Sequence, residues 1–98
     1  MKYENYENKG IKVKTIVKLY TRNGCHLCEK AKAILLKLKE SYDFHYIEAD
    51  IDSSDELTEK YGIMIPVVEI NGEEIQFGQI DELFVEQVLR KNNSSYLS

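Results

Sequence analysis

The chain has 98 residues, of which 43% are hydrophobic and 31% charged, and its formal net charge is −4. This length suits one compact domain, and the composition excludes a disordered chain. No apolar run approaches the roughly 20 residues that cross a bilayer, and the polar N-terminus lacks the apolar segment of a secretory signal peptide. We therefore expect a cytoplasmic protein without a membrane partner.

The first strand and helix are predicted from the first third of the chain. Residues 15–22, TIVKLYTR, are rich in β-branched and aromatic side chains and indicate a central, parallel strand. After Asn23-Gly24, apolar residues recur with the spacing of a helix that is buried on one face. These residues are Leu27, Ala31, Ile34, Leu35 and Leu38. The helix lysines alternate with apolar residues and form no basic stripe, so no nucleic-acid partner is expected.

A second strand and a short helix follow. Residues 44–51, FHYIEADI, alternate apolar and polar side chains, which indicates a strand. Ser53 and Glu56 have the spacing of a capping box, which predicts a helix that runs to about Tyr61 and ends at Gly62.

The last third of the chain predicts a hairpin and a helix. Asn71-Gly72 separates residues 66–70 from residues 73–77, which is a strong signal for two antiparallel strands. Asp81 then begins a final helix. Its expected inward residues are Leu83, Phe84, Val88 and Leu89.

The predicted order of elements is βαβαββα. The first strand, helix and second strand make a right-handed parallel unit, and the hairpin completes a four-stranded mixed sheet with helices on both faces. This α/β arrangement is the thioredoxin fold. We expect the domain to span residues 15–91, with a flexible segment at 1–14 and a frayed tail at 92–98.

Two cysteines lie where the first strand turns into the first helix. The unpaired N–H groups of a first helical turn carry partial positive charge, which stabilises a thiolate at Cys25. Cys28 lies one turn further along, within disulfide reach but nearer the core. An exposed attacking thiol and a shielded resolving thiol are what thiol–disulfide exchange requires. Two cysteines are too few for a disulfide scaffold, so the pair indicates redox chemistry or metal binding.

Other roles for these residues stay open. His26 either tunes the Cys25 thiolate as an imidazolium or is an exposed residue at the helix start. Zinc requires four ligands, and only His26 and His45 could complete the set, so no intrinsic metal is expected. His45 is interpreted as structural. A cluster bridged between two chains, or two buried thiols without a function, are the remaining alternatives.

Pro66 is the one proline of the chain. It lies at the predicted start of a strand, where the missing N–H group is tolerated. It is either a simple edge-strand residue or part of a corner that the fold brings against Cys25. In the second case, a cis bond between Ile65 and Pro66 would expose backbone groups to an extended peptide.

Three segments resemble the glutaredoxin-like branch of the thioredoxin superfamily. They are LYTRNGCHLCEKAK, YGIMIPVVEINGEE and FGQIDELFVEQVL, and the resemblance extends over about residues 15–89. The chain is similar in particular to small bacterial glutaredoxin-like proteins with a Gly-Cys-His-Leu-Cys motif. The combination of C-x-x-C, Ile-Pro and Gly-x-x-Asp, in this order, is a far more specific sign of the family than C-x-x-C alone.

The resemblance implies roles for individual residues. Cys25 matches the nucleophilic cysteine of the family, and Cys28 matches its resolving cysteine. Arg22 falls where glutaredoxins usually have a lysine that pairs with a glutathione carboxylate, although a solvated loop charge is the alternative. Ile65 and Pro66 match a Val-Pro step with a cis bond, whose backbone pairs with glutathione.

The resemblance also implies a site for the γ-glutamyl end of glutathione. Gly78, Ile80 and Asp81 match the Gly-x-x-Asp turn that holds it, although Asp81 is equally explained as a helix N-cap. Glutaredoxins typically have Cys-Pro-Tyr-Cys, but here Leu27 replaces the tyrosine that contacts glutathione. Phe77 replaces a glycine and would crowd the same groove. These departures weigh against glutathione dependence and leave the dithiol chemistry intact.

The sequence therefore predicts a glutaredoxin-like thiol–disulfide oxidoreductase that reduces small-molecule or protein disulfides through a mixed disulfide. No tightly bound cofactor is expected, and either glutathione or a thioredoxin-reductase-type flavoenzyme would donate the electrons. A monomer is expected. The alternatives are a thioredoxin-fold adaptor that binds a partner at the Pro66 groove with idle thiols, and a metal or iron–sulfur carrier.

Overall fold

The computed structural model describes residues 14–94 of the chain. The strands are β1 (Thr15–Thr21), β2 (Phe44–Asp50), β3 (Val67–Ile70) and β4 (Glu73–Phe77). The helices are α1 (His26–Lys39), α2 (Asp55–Tyr61) and α3 (Glu82–Ser94), and a 3-10 turn (Ile51–Ser53) precedes α2. None of the helices in this part of the chain is long and apolar enough to span a bilayer.

The strands form a four-stranded mixed sheet in the order β2-β1-β3-β4. β1 is central, and it pairs in parallel with β2 and antiparallel with β3. The hairpin of β3 and β4 turns at Asn71 and Gly72, whose positive φ angles of 52° and 86° are those of a type I′ turn. The predicted order βαβαββα and the predicted hairpin are confirmed.

Each face of the sheet is covered by helix. Val17 and Leu19 of β1 pack on one face with Leu35 of α1 and Leu89 of α3. The neighbouring Tyr20 points to the opposite face, because side chains alternate along a strand. There it packs in a smaller cluster with Ile51, Tyr61 and Val67, beside α2.

Three apolar residues that were expected inside lie at the surface. Leu27 is 43% exposed, Phe84 is 38% exposed and Leu83 is 68% exposed. In α1, the buried residue one turn before Ala31 is Cys28, and not the neighbouring Leu27. In α3, the fully buried Val85 takes the inward position one turn before Leu89.

The start of α2 also differs from its prediction by one residue. The Ser54 hydroxyl, and not that of Ser53, accepts the N–H of Leu57 at 3.2 Å. Ser53 belongs to the 3-10 turn, and its hydroxyl donates to the carbonyl of Asp50. The last residue of α2 is Tyr61, and Gly62 follows it as the C-cap, as predicted.

The chain ends are only partly described. α3 continues to Ser94, so it reaches into the segment 92–98 that was expected to be frayed. The rest of that tail, and residues 1–13 of the expected flexible segment, lie outside the described residues.

Candidate active site at the start of helix α1

Cys25 is the N-cap residue of α1. Gly24 precedes it with φ 79°, a conformation that glycine adopts without strain, and this turn connects β1 to the helix. The carbonyl of Cys25 accepts the N–H of Glu29 at 3.0 Å, which begins the helical hydrogen-bond ladder. Its sulfur accepts the backbone N–H of Cys28 at 3.2 Å. The Cys25 side chain therefore sits among the first N–H groups of the helix, where negative charge is favoured.

Cys28 lies behind it and is only 2% exposed. Neither cysteine is in a disulfide. Burial raises the pKa of the Cys28 thiol above its ordinary value, and a hydrogen bond with Cys25 raises it further. Hydrogen bonds from the Thr21 hydroxyl and the Arg22 backbone act in the opposite direction. The two thiols thus have different surroundings, one half-buried at the helix cap and one enclosed.

The two histidines lie in different places. His26 is the exposed first residue of α1 and follows Cys25 directly. His45 is exposed on β2 opposite Ile16, close to the start of β1, whereas Cys25 follows the end of that strand. Within residues 14–94, no group of three or more His, Cys, Asp or Glu side chains is placed to hold a metal ion.

The Ile65–Pro66 bond is cis and leads directly into β3. Because β3 is antiparallel to β1 with Val67 opposite Tyr20, Pro66 reaches the edge of the sheet where β1 ends. The N–H of Gly78 donates to the Pro66 carbonyl at 2.8 Å and to the Met64 carbonyl at 3.1 Å. The Gly78 turn and the proline corner are therefore tied together.

The charged residues expected at a glutathione site have partners within the protein. Arg22 Nε lies 3.0 Å and 3.2 Å from the two carboxylate oxygens of Asp52. Asp81 acts as the cap of α3, since its Oδ1 accepts the N–H of Leu83 at 3.0 Å. Ile80 is 9% exposed and packs in the larger core cluster.

Thr21 and Cys28 line the same cavity, although the sequence pattern did not single out Thr21. Threonine is common in strands, so its presence in TIVKLYTR carries no chemical signal by itself. Its place in the inward series Val17, Leu19, Thr21 is the signal that could have found it. A polar side chain at the buried end of an apolar row requires a hydrogen-bond partner.

The family and the fold are shown by similarity to known proteins. The family model described as a glutaredoxin-like domain (DUF836) matches residues 16–90. Protein Ne2328 from Nitrosomonas europaea is 27% identical with a TM-score of 0.69, and the match covers 81% of this chain and 95% of that one. Reduced thioredoxin from Schistosoma mansoni is 25% identical with a TM-score of 0.62, over 85% of this chain and 83% of that one.

A shorter match links the chain to a larger protein. NADPH-dependent thioredoxin reductase 3 from Arabidopsis thaliana is 40% identical over 53 residues, which are 52% of this chain and 10% of that protein. The chain thus spans a small part of the length of this relative. The structural neighbours confirm the thioredoxin fold, and the Cys25–Cys28 pair supports a thiol redox role in general. The chain belongs to the family of glutaredoxin-like domains in the thioredoxin superfamily.

Proposed function

We propose that this protein is a thiol–disulfide oxidoreductase that reduces small-molecule or protein disulfides through Cys25 and Cys28. One observation carries the proposal: the sulfur of Cys25 caps a helix and accepts the N–H of Cys28, while Cys28 itself is 2% exposed. An attacking thiol needs access and a stabilised thiolate, whereas a resolving thiol acts only after the first attack. The partial exposure of Cys25 at the helix cap and the enclosure of Cys28 support this division of roles.

The proposed reaction has two steps. The Cys25 thiolate attacks one sulfur of the substrate disulfide, forms a mixed disulfide and releases the first thiolate, which takes up a proton. Cys28 then loses its proton and attacks the Cys25 sulfur, which forms the Cys25–Cys28 disulfide and releases the second substrate thiol. Two electrons pass from the dithiol to the substrate. An imidazolium at His26 would add positive charge beside Cys25 during the first step.

Electrons must return to the oxidised dithiol, and we favour a thioredoxin-reductase-type flavoenzyme over glutathione as the donor. Arg22 is paired with Asp52, and Asp81 caps its own helix. Phe77, where the family has a glycine, is 60% exposed beside the Gly78 turn. A similarity to part of a protein named thioredoxin reductase agrees with this choice. In a reducing compartment such as the cytoplasm, the direction is reduction of substrate.

A turnover assay tests the proposal without assuming the donor. Reduction of insulin by dithiothreitol is followed with the wild type, Cys25→Ser and Cys28→Ser. We expect the wild type to accelerate reduction, Cys25→Ser to be inactive and Cys28→Ser to lose most of its turnover. The proposal fails if the three proteins behave alike. It also fails if the wild type does not exceed dithiothreitol alone.

A further inference from the structure

The cysteine pair lies at the edge of the sheet where four connections of the chain come together. β1 and β2 end here, with Thr21 opposite Asp50. β3 begins here at Val67, which lies opposite Phe77 of β4. We call this region the active-site edge, and its four segments are residues 21–25, 50–55, 62–66 and 77–81. Side chains that are exposed on these segments surround any disulfide that reaches Cys25.

Large apolar side chains are exposed at and beside the active-site edge. Leu27, in the first turn of α1, is 43% exposed, Phe77 is 60% exposed and Ile63 is fully exposed. A groove of about 400 Å³ is lined in part by Met64, Val67 and Phe77. Isolated exposed apolar residues need no explanation, but their grouping around a groove beside reactive groups is typical of a surface that binds a partner.

The charged side chains of the active-site edge are mostly acidic. Its four segments contain one basic residue and four acidic residues, which give a formal charge of −3. The acidic residues are Asp50, Asp52, Asp55 and Asp81, all of them exposed. The basic residue, Arg22, is paired with Asp52. In the part of the chain that the structure describes, no cation forms an ion pair with the other three carboxylates. Next to the edge, Glu29 and Lys30 of α1 carry opposite charges.

Part of this negative charge has a local role in capping. Asp50 Oδ1 accepts the N–H of Asp52 at 2.9 Å, and Asp81 Oδ1 accepts the N–H of Leu83 at 3.0 Å. Each of these carboxylates uses one of its two oxygens as a cap. Asp55 has no side-chain hydrogen bond within residues 14–94 and lies in the first turn of α2. A helix start offsets roughly half a unit charge, so the active-site edge remains negative.

We propose that the active-site edge binds substrate proteins in which the disulfide is flanked by apolar and basic residues. The apolar residues pack against Leu27, Ile63 and Phe77, while lysine or arginine side chains pair with the carboxylates that have no cation of their own. Opposite charges accelerate the encounter, and like charges exclude acidic partners. Oxidised glutathione carries a net negative charge and is disfavoured by the same edge. This inference names a substrate class and rests on the proposed function.

The first test compares substrates that differ only in charge. Three peptide disulfides carry a fluorophore and a quencher on their two chains, with leucine and two lysines, two glutamines or two glutamates beside each cysteine. Each peptide is mixed with an excess of the reduced, full-length protein. The rate constant is divided by that of dithiothreitol with the same peptide, which removes the effect of the flanking charges on the disulfide itself. At low salt we expect the lysine peptide to react roughly tenfold faster than the glutamate peptide, with a smaller ratio at about 0.5 M salt.

The outcomes distinguish this inference from the proposed function. Equal normalised rates for the three peptides, or a preference for the glutamate peptide, overturn the inference and leave the function standing. A preference for lysine that does not depend on salt also overturns it, because charge pairing is then not the cause. If the wild type reduces none of the peptides faster than Cys25→Ser does, the proposed function itself fails.

Charge reversal tests the position of the binding surface. Asp55→Lys reverses an exposed charge at the active-site edge. Glu73→Lys makes the same change at the opposite edge of the sheet, where β4 begins opposite Ile70. We expect Asp55→Lys to reduce the preference for the lysine peptide several-fold and Glu73→Lys to leave it unchanged. An equal loss in both variants would overturn the assignment to this edge.

A second pair of variants tests the apolar contact. Phe77→Ala removes an exposed ring at the active-site edge, whereas Leu36→Ala removes an exposed apolar side chain from the second half of α1. We expect Phe77→Ala to slow the reaction with all three peptides several-fold, because their leucines lose buried apolar contact. Leu36→Ala should react like the wild type. An unchanged rate for Phe77→Ala, or an equal loss for Leu36→Ala, overturns the apolar part of the proposal.

Discussion

The backbone N–H of Cys28 donates a hydrogen bond to the sulfur of Cys25, with 3.2 Å between the two atoms. The first turn of α1 thereby fixes both cysteines at once: it caps the helix with one sulfur and turns the other towards the core. Cys25 remains half-buried, whereas Cys28 is enclosed. This difference in exposure supports the proposal that Cys25 attacks and Cys28 resolves.

The buried thiol should make stability depend on pH. Burial raises the pKa of Cys28 in the folded protein above the ordinary thiol value of 9.0. The neutral thiol therefore contributes stability that is complete below pH 9.0 and is lost as pH rises through the folded value. We expect the free energy of unfolding of the reduced wild type to fall more steeply above about pH 9 than that of Cys28→Ala. Urea unfolding over the alkaline range measures both slopes, and equal slopes would contradict the expectation.

The local start of α2 offers a test of its capping residue. The Ser54 hydroxyl accepts the N–H of Leu57, so Ser54→Ala leaves that donor without its side-chain partner. We expect a loss of about 1 kcal/mol in the free energy of unfolding, measured in urea. Ser53→Ala is the matched control, because its hydroxyl donates only to an exposed carbonyl. If Ser53→Ala lost more unfolding free energy than Ser54→Ala, the assignment of Ser54 as the capping residue would be wrong.

The ion pair of Arg22 and Asp52 should limit the use of glutathione. Both partners are partly exposed, at 36% and 51% of their side chains, so breaking the pair costs at most about 1 kcal/mol, which corresponds to a several-fold change in affinity. Asp52→Asn frees the guanidinium for a glutathione carboxylate. We expect a several-fold lower KM for a glutathione mixed disulfide, with little change for insulin. Arg22→Gln should not lower the KM for the glutathione mixed disulfide. If Asp52→Asn leaves this KM unchanged, Arg22 does not bind the glutathione carboxylate.

A buried tyrosine links α2 to the edge strand β4. The Tyr61 hydroxyl donates to Glu74 at 2.6 Å, and its ring stacks on Tyr20 with the centroids 4.2 Å apart. Tyr61→Phe keeps the ring but removes the hydrogen bond, so we expect a loss of about 1–2 kcal/mol in urea unfolding. The hydroxyl of Tyr46 bonds to the exposed Glu48, and Tyr46→Phe should cost less. A larger loss for Tyr46→Phe than for Tyr61→Phe would show that the Tyr61 hydrogen bond contributes little to stability.

Features governed by local chemistry could be predicted from the sequence. Asn71-Gly72 specifies its turn through backbone conformations that these two residues adopt readily. Asn23 and Gly24 likewise mark the end of β1, and this turn signal predicts a helix that starts at Cys25. The parallel pairing of β1 and β2 could be predicted because a strand, a crossover helix and a second strand connect in few ways.

Features that depend on neighbours distant in the chain were harder to predict. Leu27 fits the apolar stripe of α1 as well as Cys28 does, and only packing against the sheet decides which of them is buried. The partner of Arg22 comes from the turn after β2, and no local pattern predicts that contact. Thr21 and Cys28 line the same cavity only because the end of β1 meets the first turn of α1, and no local pattern predicts that meeting.

The most direct test of the account asks which sulfur attacks. Cys25→Ser and Cys28→Ser are incubated with a peptide disulfide under non-reducing conditions, and the intact masses are recorded over time. The account predicts a rapid, stable peptide adduct on Cys25 of the Cys28→Ser protein and little adduct on the Cys25→Ser protein. A faster adduct on Cys28 of the Cys25→Ser protein would contradict the assignment of the two cysteines.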